Sequence, residues 1–150
     1  MAGLTSAITT TFKKELLEGD HDFNNGADTF KIALFKANSS ISGTYGAATT
    51  NYSDVTGNSD ETTGTGYSSG GNTLTNVDPN TSGTTAFTDF ADTSWTSATF
   101  TTRGAIIYNT NDSNSAVMII DFGADFSVSG GTFTVEFPAA GASTAILRIA

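Results

Sequence analysis

Apolar residues near the start of the chain recur at the spacing of a helix. The stripe consists of Leu4, Ile8, Phe12 and Leu16, with Leu17 beside the last. A period of four residues predicts an amphipathic N-terminal helix within residues 1–19. Thr5 or Ser6 is expected to cap its start, and Gly19 to end it in the left-handed conformation. The stripe packs either on the domain's own sheet or on a neighbouring subunit.

Two later segments alternate between apolar and polar residues, as half-buried strands do. In Thr29–Phe35 the apolar positions are Phe30, Ile32 and Leu34. In Gly131–Phe137 they are Phe133, Val135 and Phe137, and Pro138 closes the segment. Each segment predicts a strand with one face turned to a core.

Further strands are expected wherever short apolar runs lie between turn residues. They are Gly71–Val77, ended by Asp78-Pro79-Asn80, then Ala86–Phe90, Trp95–Thr101, Gly104–Asn109, Ser115–Gly123 and a last strand within Gly141–Ala150. The run Ala116–Ile120 is apolar without alternation, which favours a strand covered on both faces. Seven or eight such strands predict one all-β domain over residues 1–150, an antiparallel β-sandwich or jelly-roll-like fold with one N-terminal helix and long loops.

The tip between two of these strands, Asn109–Ser115, is rich in Asn, Asp, Ser and Thr. Such residues tolerate unusual backbone angles and bond to their own backbone, so the tip is expected to be a hairpin loop. Its single carboxylate, Asp112, brings too little charge to hold a divalent ion.

Residues 36–71 lack a clear period. They contain Ser, Thr, Gly, Asn and Asp, punctuated by Tyr45, Tyr52 and Tyr67. Unstructured segments of this length are uncommon in compact domains, and tyrosine rings are favoured at contact surfaces. The segment is therefore either a loop packed on its own domain or an arm that reaches a partner.

Charge and composition narrow the classes of partner. The net charge is −9 with six basic residues, which argues against nucleic acid and against an anionic membrane surface. The chain has no cysteine, so disulfides and thiolate chemistry are excluded. The first residues lack the apolar run of a signal peptide, and folding in the cytoplasm is expected.

The residues offer little catalytic or metal-binding chemistry. His21 is the only histidine and lies in a polar connector, where it is expected to be solvated. One histidine without cysteine cannot make a zinc site. The stretch from Asp20 to Lys31 begins like a calcium-binding EF-hand loop, but Lys31 stands where a bidentate Glu is needed. A loop-built calcium site around Asp54, Asp60 and Glu61 stays an open alternative.

Gly64–Gly71 is rich in glycine but lacks the lysine of a phosphate-binding loop. The prediction is a protein without catalytic residues, metal or cofactor, and not an enzyme.

Several segments together resemble a family of small β-rich virion proteins of tailed bacteriophages, of the type common in marine phages. They are FKKELLEGDHDF, TFKIALF, GTGYSSGGNTLTNV, FTDFADTSW, RGAIIYN, VMIIDFG, FTVEFPA and AILRIA. In order along the chain they cover most of it from Phe12 onward, and they match the family least between Lys36 and Asp60. They are strand and turn motifs, so the resemblance implies a structural role rather than a reaction.

The expectation drawn from this resemblance is a capsid decoration (cement) protein, located in the virion and assembled in the host cytoplasm. Its expected partners are the major capsid protein and further copies of itself, in a homo-oligomer. The alternatives are a tail, head-fibre or host-adhesion subunit, or a non-viral β-sandwich binding module or filament subunit. On the virion hypothesis the predicted contact residues are Phe12, Tyr45, Tyr52 and Tyr67, since aromatic rings are enriched in interface cores.

Overall fold

The fold is built around one five-stranded antiparallel sheet. The structure is a computed structural model and describes residues 2–150. Its strands are β1 (Gly3–Leu4), β2 (Ala7–Ile8), β3 (Phe30–Phe35), β4 (Thr44–Tyr45), β5 (Asn72–Thr73), β6 (Asn76–Ser82), β7 (Thr85–Phe90), β8 (Thr93–Asn109), β9 (Ser115–Val135) and β10 (Leu147–Ile149). The helices are α1 (Thr10–Glu18) and α2 (Tyr52–Gly57), with a 3₁₀ turn at Asn38–Ser40. The predicted all-β class is confirmed.

Three sheets arrange these strands. The central sheet has the order β2-β9-β8-β3-β5, and a second sheet has the order β10-β7-β6. A short parallel pair joins β1 to β4. The long β8–β9 hairpin forms the middle of the central sheet, with Asn109 paired to Ser115 beside its tip. The predicted hairpin loop at Asn109–Ser115 is therefore confirmed.

The central sheet has a core on each face. Ile32 and Leu34 face the core that includes Phe12 of α1 and Leu147 of the second sheet. Phe35 faces the other core, together with residues of the 36–60 segment. Both faces are covered because strands β3, β8 and β9 carry apolar residues on both sides over part of their length. The expectation that Ala116–Ile120 is covered on both faces is thus confirmed: Ala116 and Ile119 face the second core, and Val117 and Met118 the first.

Helix α1 is shorter than its hydrophobic stripe predicts. It starts at Thr10, with Thr9 as its N-cap, so the prediction of a cap at Thr5 or Ser6 is wrong. Residues 3–8 are extended instead, because they pair with β4 and β9. The Thr9 hydroxyl also donates a 2.6 Å hydrogen bond to the Ala116 carbonyl. Gly19 ends the helix in the left-handed region at φ 85°, as predicted.

Several predicted strands are continuous. Trp95–Thr101 and Gly104–Asn109 belong to the single strand β8, and Ser115–Gly123 and most of Gly131–Phe137 belong to β9. Bulges interrupt their pairing, and Gly123 and Gly130 adopt positive φ. The prediction that a strand ends at Val77 is also wrong. Strand β6 continues through Pro79, which an edge strand tolerates at a register shift.

The segment 36–71 is folded against the central sheet. It contains the 3₁₀ turn, β4 and α2, and it places Ile41, Tyr45 and Val55 in the second core. Of the two alternatives, the structure shows a segment packed on its own domain. Helix α2 is only six residues long and is recognisable by its capping box, in which Asn51 and Asp54 bond each other's backbone.

Over residues 2–150, the structure has no helix with both the length and the apolar character needed to span a membrane.

Candidate functional site

Phe12 and Tyr45, two of the predicted contact residues, lie inside the domain. Their exposed fractions are 1% and 2%. The Phe12 ring packs against His21 and Phe23, and the Tyr45 ring against Phe35. Neither side chain presents a surface to a partner in this fold, because each fills a core of its own chain.

The other two, Tyr52 and Tyr67, are half-buried and converge on Glu61. The Tyr52 hydroxyl donates to Glu61 Oε2 at 2.5 Å, and the Tyr67 hydroxyl donates to Glu61 Oε1 at 2.7 Å. Tyr67 also accepts the Leu34 N–H, and the Tyr52 ring stacks on Tyr108 at 4.5 Å. Burial raises the pKa of both phenols. The two rings therefore attach the 36–71 segment to its own sheet.

Asp60 anchors the same segment from inside. Its carboxylate accepts from the Tyr45 hydroxyl at 2.7 Å, from Ser42 and Gly43, and pairs with the Lys36 ammonium at 2.9 Å. Burial alone would raise the pKa of Asp60, but Lys36 and the other donors more than offset it and hold the pKa below its usual range.

This arrangement overturns the calcium alternative around Asp54, Asp60 and Glu61. Both oxygens of Asp60 already accept from protein donors. Asp54 bonds the backbone at the start of α2, and Glu61 is occupied by the tyrosines. The three carboxylates serve three separate networks and do not converge on one cation position.

His21 is buried, so the expectation of a solvated histidine is wrong. Its ring lies 3.0 Å from Glu15 Oε2 through Nε2 and 2.9 Å from Asn109 Nδ2 through Nδ1. The Asn109 amide is oriented by two further bonds, since its nitrogen donates to Asp28 and its oxygen accepts the Asn111 N–H. Nδ1 must therefore accept, and the ring proton lies on Nε2, where it is donated to Glu15.

Glu15, His21 and Asp112 form the one cluster of metal-ligand residues found within residues 2–150, with ligand atoms within 4.8 Å of one another. The hydrogen-bond network does not suit a metal, because a metal on Nε2 would require the ring proton on Nδ1, and Nδ1 faces the Asn109 amide N–H rather than an acceptor. Asp112 Oδ2 is buried without a hydrogen-bond partner. Burial and the nearby Glu15 raise the pKa of Asp112. The cluster joins α1, the connector and the hairpin tip, and its geometry fits a structural role.

Comparisons with models of known protein families, with curated proteins and with solved structures gave no match to this chain.

Two surfaces leave large apolar side chains exposed. The first is a groove of about 240 Å³ between α1 and the second sheet, lined by Leu16, Phe23, Phe87, Leu147 and Ile149. Ile149, which lines it, is 58% exposed; Leu17, outside the lining but next in sequence to Leu16, is 90% exposed. We call this surface the α1 groove.

The second surface lies along β9, on the side of the central sheet that faces the first core. Phe122, Phe126 and Phe133 line a cleft of about 300 Å³, and Phe126 is 47% exposed. The sequence analysis does not predict this surface, because residues 124–130 lie between the two predicted strands Ser115–Gly123 and Gly131–Phe137. The alternation of Phe126 and Val128 with Ser127 and Ser129 is the signal that could have found it. We call residues Phe126–Val135 the β9 edge.

Proposed function

We propose that this protein is a structural subunit of a tailed-bacteriophage virion, and specifically a capsid decoration protein that acts through protein–protein contacts. The sequence resemblance supports the virion role, since its segments cover parts of most strands in the two larger sheets. The observation that carries a contact function is the α1 groove, where apolar side chains remain exposed on a well-packed domain.

The α1 groove suits an apolar segment of the shell protein. Large apolar side chains that stay exposed beside a concave apolar surface mark interaction sites more often than isolated ones do. Ile149 lines the groove and stays 58% exposed, so a partner seated there would bury apolar surface that the domain leaves in solvent.

Binding to expanded empty capsids tests this proposal. The purified protein is expected to bind them saturably, at a ratio set by the shell symmetry. Ile149→Ser, at an exposed residue that lines the groove, should weaken this binding by about tenfold, as loss of an interface anchor does. Lys13→Ser, at an exposed position on α1 outside the lining of the groove, is the control and should bind like the unchanged protein.

Other outcomes point to the other classes. A tail or adhesion subunit would bind host cells or glycans and ignore capsids, and a filament subunit would polymerise alone. The same capsids should also be tested with a decoration protein that is known to bind them. If that protein binds and this one does not, the decoration role is contradicted.

A further inference from the structure

The β9 edge is an open strand. Beyond Asp121, strand β9 pairs only with β8, and in the described part of the chain no other strand covers its outer side. On the opposite edge of the hairpin, formed by β8, backbone groups have hydrogen-bond partners. There the Thr99 N–H is bonded to Thr65, and the Asn72 side chain bonds the Ser94 carbonyl. One long edge of the central sheet therefore keeps a row of unpaired backbone groups, a template for an added strand.

The usual features that protect such an edge are missing here. The ten residues FSVSGGTFTV of the β9 edge contain no charged residue and no proline, although charges and proline are what commonly block edge pairing. The chain as a whole carries −9. Asp125 and Glu136 flank these ten residues, so the uncharged pairing surface is limited to the β9 edge itself.

The β9 edge is also complementary to itself. Ser129 pairs with Thr99 and Gly131 with Ala98, so Gly130 is the extra residue of a bulge at φ 62°. Because Gly130 is not counted in the pairing, two copies can pair in antiparallel register with Phe126 of one copy opposite Phe133 of the other. That register puts Ser129 on the two-fold axis and leaves glycine beside it, where the two strands approach each other.

The aromatic rings lie where this pairing needs them. Phe126 and Phe133 belong to one cleft on the core side of the sheet, and Phe133 packs against Trp95 and Phe100. Aromatic pairs across neighbouring antiparallel strands stabilise a sheet. A second copy would extend each cleft and cover the half-exposed Phe126.

We infer that two copies of this chain associate through their β9 edges, in antiparallel register about Ser129, to form one continuous sheet across the dimer. This dimer does not depend on the virion role, because it uses a surface separate from the α1 groove.

Charge substitutions at Ser129 give a test that depends on symmetry. Sedimentation of the full chain should show a concentration-dependent dimer. Ser129→Glu and Ser129→Lys should each weaken dimerisation about tenfold or more, because either one places two like charges across the axis. Ser53→Glu and Ser53→Lys, at an exposed position on α2, should leave it unchanged. At concentrations where every variant and the unchanged protein are monomeric, melting temperatures should be close to one another, since Ser129 is exposed.

A single engineered cysteine adds a geometric test, since the chain has none of its own. Ser129→Cys should form a disulfide-linked dimer under mild oxidation, and Ser53→Cys should not. A chain that is monomeric at all concentrations overturns the inference. So does a dimer that Glu weakens and Lys strengthens, since opposite responses indicate contact with a different, charged surface. Capsid binding by a monomeric Ser129→Lys variant would show that the decoration role stands without the dimer.

Discussion

At the scale of single residues, Asp60 shows how one carboxylate fixes a segment that the sequence pattern leaves undefined. Its side chain is fully buried and bonds Lys36, Ser42, Gly43 and Tyr45. The donors lie within residues 36–45 and Asp60 ends the 36–60 stretch, so the carboxylate closes this stretch into a loop around the second core.

Asp60→Asn is expected to lower the free energy of unfolding at pH 7 by about 2 to 4 kcal/mol, because Lys36 and the buried donors lose their charged acceptor. The folded-state pKa of Asp60 lies below the ordinary 3.8. Its stabilising contribution is therefore complete above pH 3.8 and is lost as the pH falls through the folded-state value. Urea denaturation measures the free energy of unfolding of the unchanged protein and of Asp60→Asn. The difference between the two should be smaller at pH 3 than at pH 7. Asp20→Asn, at an exposed carboxylate, controls for the charge change.

Asp112→Asn should have the opposite effect. The pKa of Asp112 is raised by burial and by Glu15, so its contribution is favourable below pH 3.8 and is lost as the pH rises through the folded-state pKa. At pH 7 the ionised carboxylate costs stability, and its replacement should raise the melting temperature by about 1 to 3 °C. The gain should vanish near pH 3.

Glu136→Gln, at an exposed residue just past the far end of β9, is the control for Asp112→Asn. A lower melting temperature of Asp112→Asn in the presence of Zn²⁺, together with a loss of stability of the unchanged protein in EDTA, would show that the cluster with Glu15 and His21 holds a metal after all.

The sequence could not predict these residue environments. His21 is 88 positions from Asn109 and six from Glu15, and only the packing of α1 beside the hairpin brings the three together. Likewise, Tyr45, Tyr52 and Tyr67 look like contact residues in a polar segment, but their hydroxyls are satisfied by Asp60 and Glu61 after folding. A local pattern indicates that a residue has an important contact without saying with which chain.

At the scale of elements, strands with a clear pattern were predictable, and their lengths were not. The alternation of β3 and the double coverage of Ala116–Ile120 follow from the side-chain pattern. The continuity of β8 and β9 does not, because each bulge shifts the alternation and reads as a strand end. Residues 3–8 have a helical spacing, yet they are extended because pairing with β4 and β9 satisfies their backbone groups.

Val55 of α2 tests whether the 36–71 segment belongs to the core. Its side chain is fully buried in the second core. Val55→Ala should lower the free energy of unfolding by about 2 kcal/mol through lost burial and the cavity left behind. The exposed Thr63→Ala should change it little. Equal stability of both variants in urea would indicate a detachable arm.

At the scale of the whole molecule, the distribution of charge affects where two copies of the chain can associate. The net charge of −9 opposes any approach of two copies, and the ten residues of the β9 edge add no charge to that opposition. The fold leaves this edge and the α1 groove as separate surfaces, one built from a strand and the other from a helix and a second sheet. If the proposed decoration role holds, these separate surfaces allow contact with the shell and with a second copy at the same time.

Salt should therefore strengthen the dimer. Added NaCl screens the repulsion between two acidic chains, while backbone pairing and aromatic contacts are little affected. Sedimentation at low and high NaCl is expected to show a dissociation constant that falls as salt rises. A constant that rises with salt would indicate ion pairs between the copies and would contradict pairing through the β9 edge.

The enclosed His21 ring has one more consequence. It is the single imidazole of the chain, and its one N–H points into a hydrogen bond with Glu15 that solvent hardly reaches. In a proton–nitrogen NMR spectrum of the labelled protein, this group should give one isolated, slowly exchanging signal. That signal would disappear when α1 detaches from the hairpin tip, so local opening at this junction could be timed without any added probe.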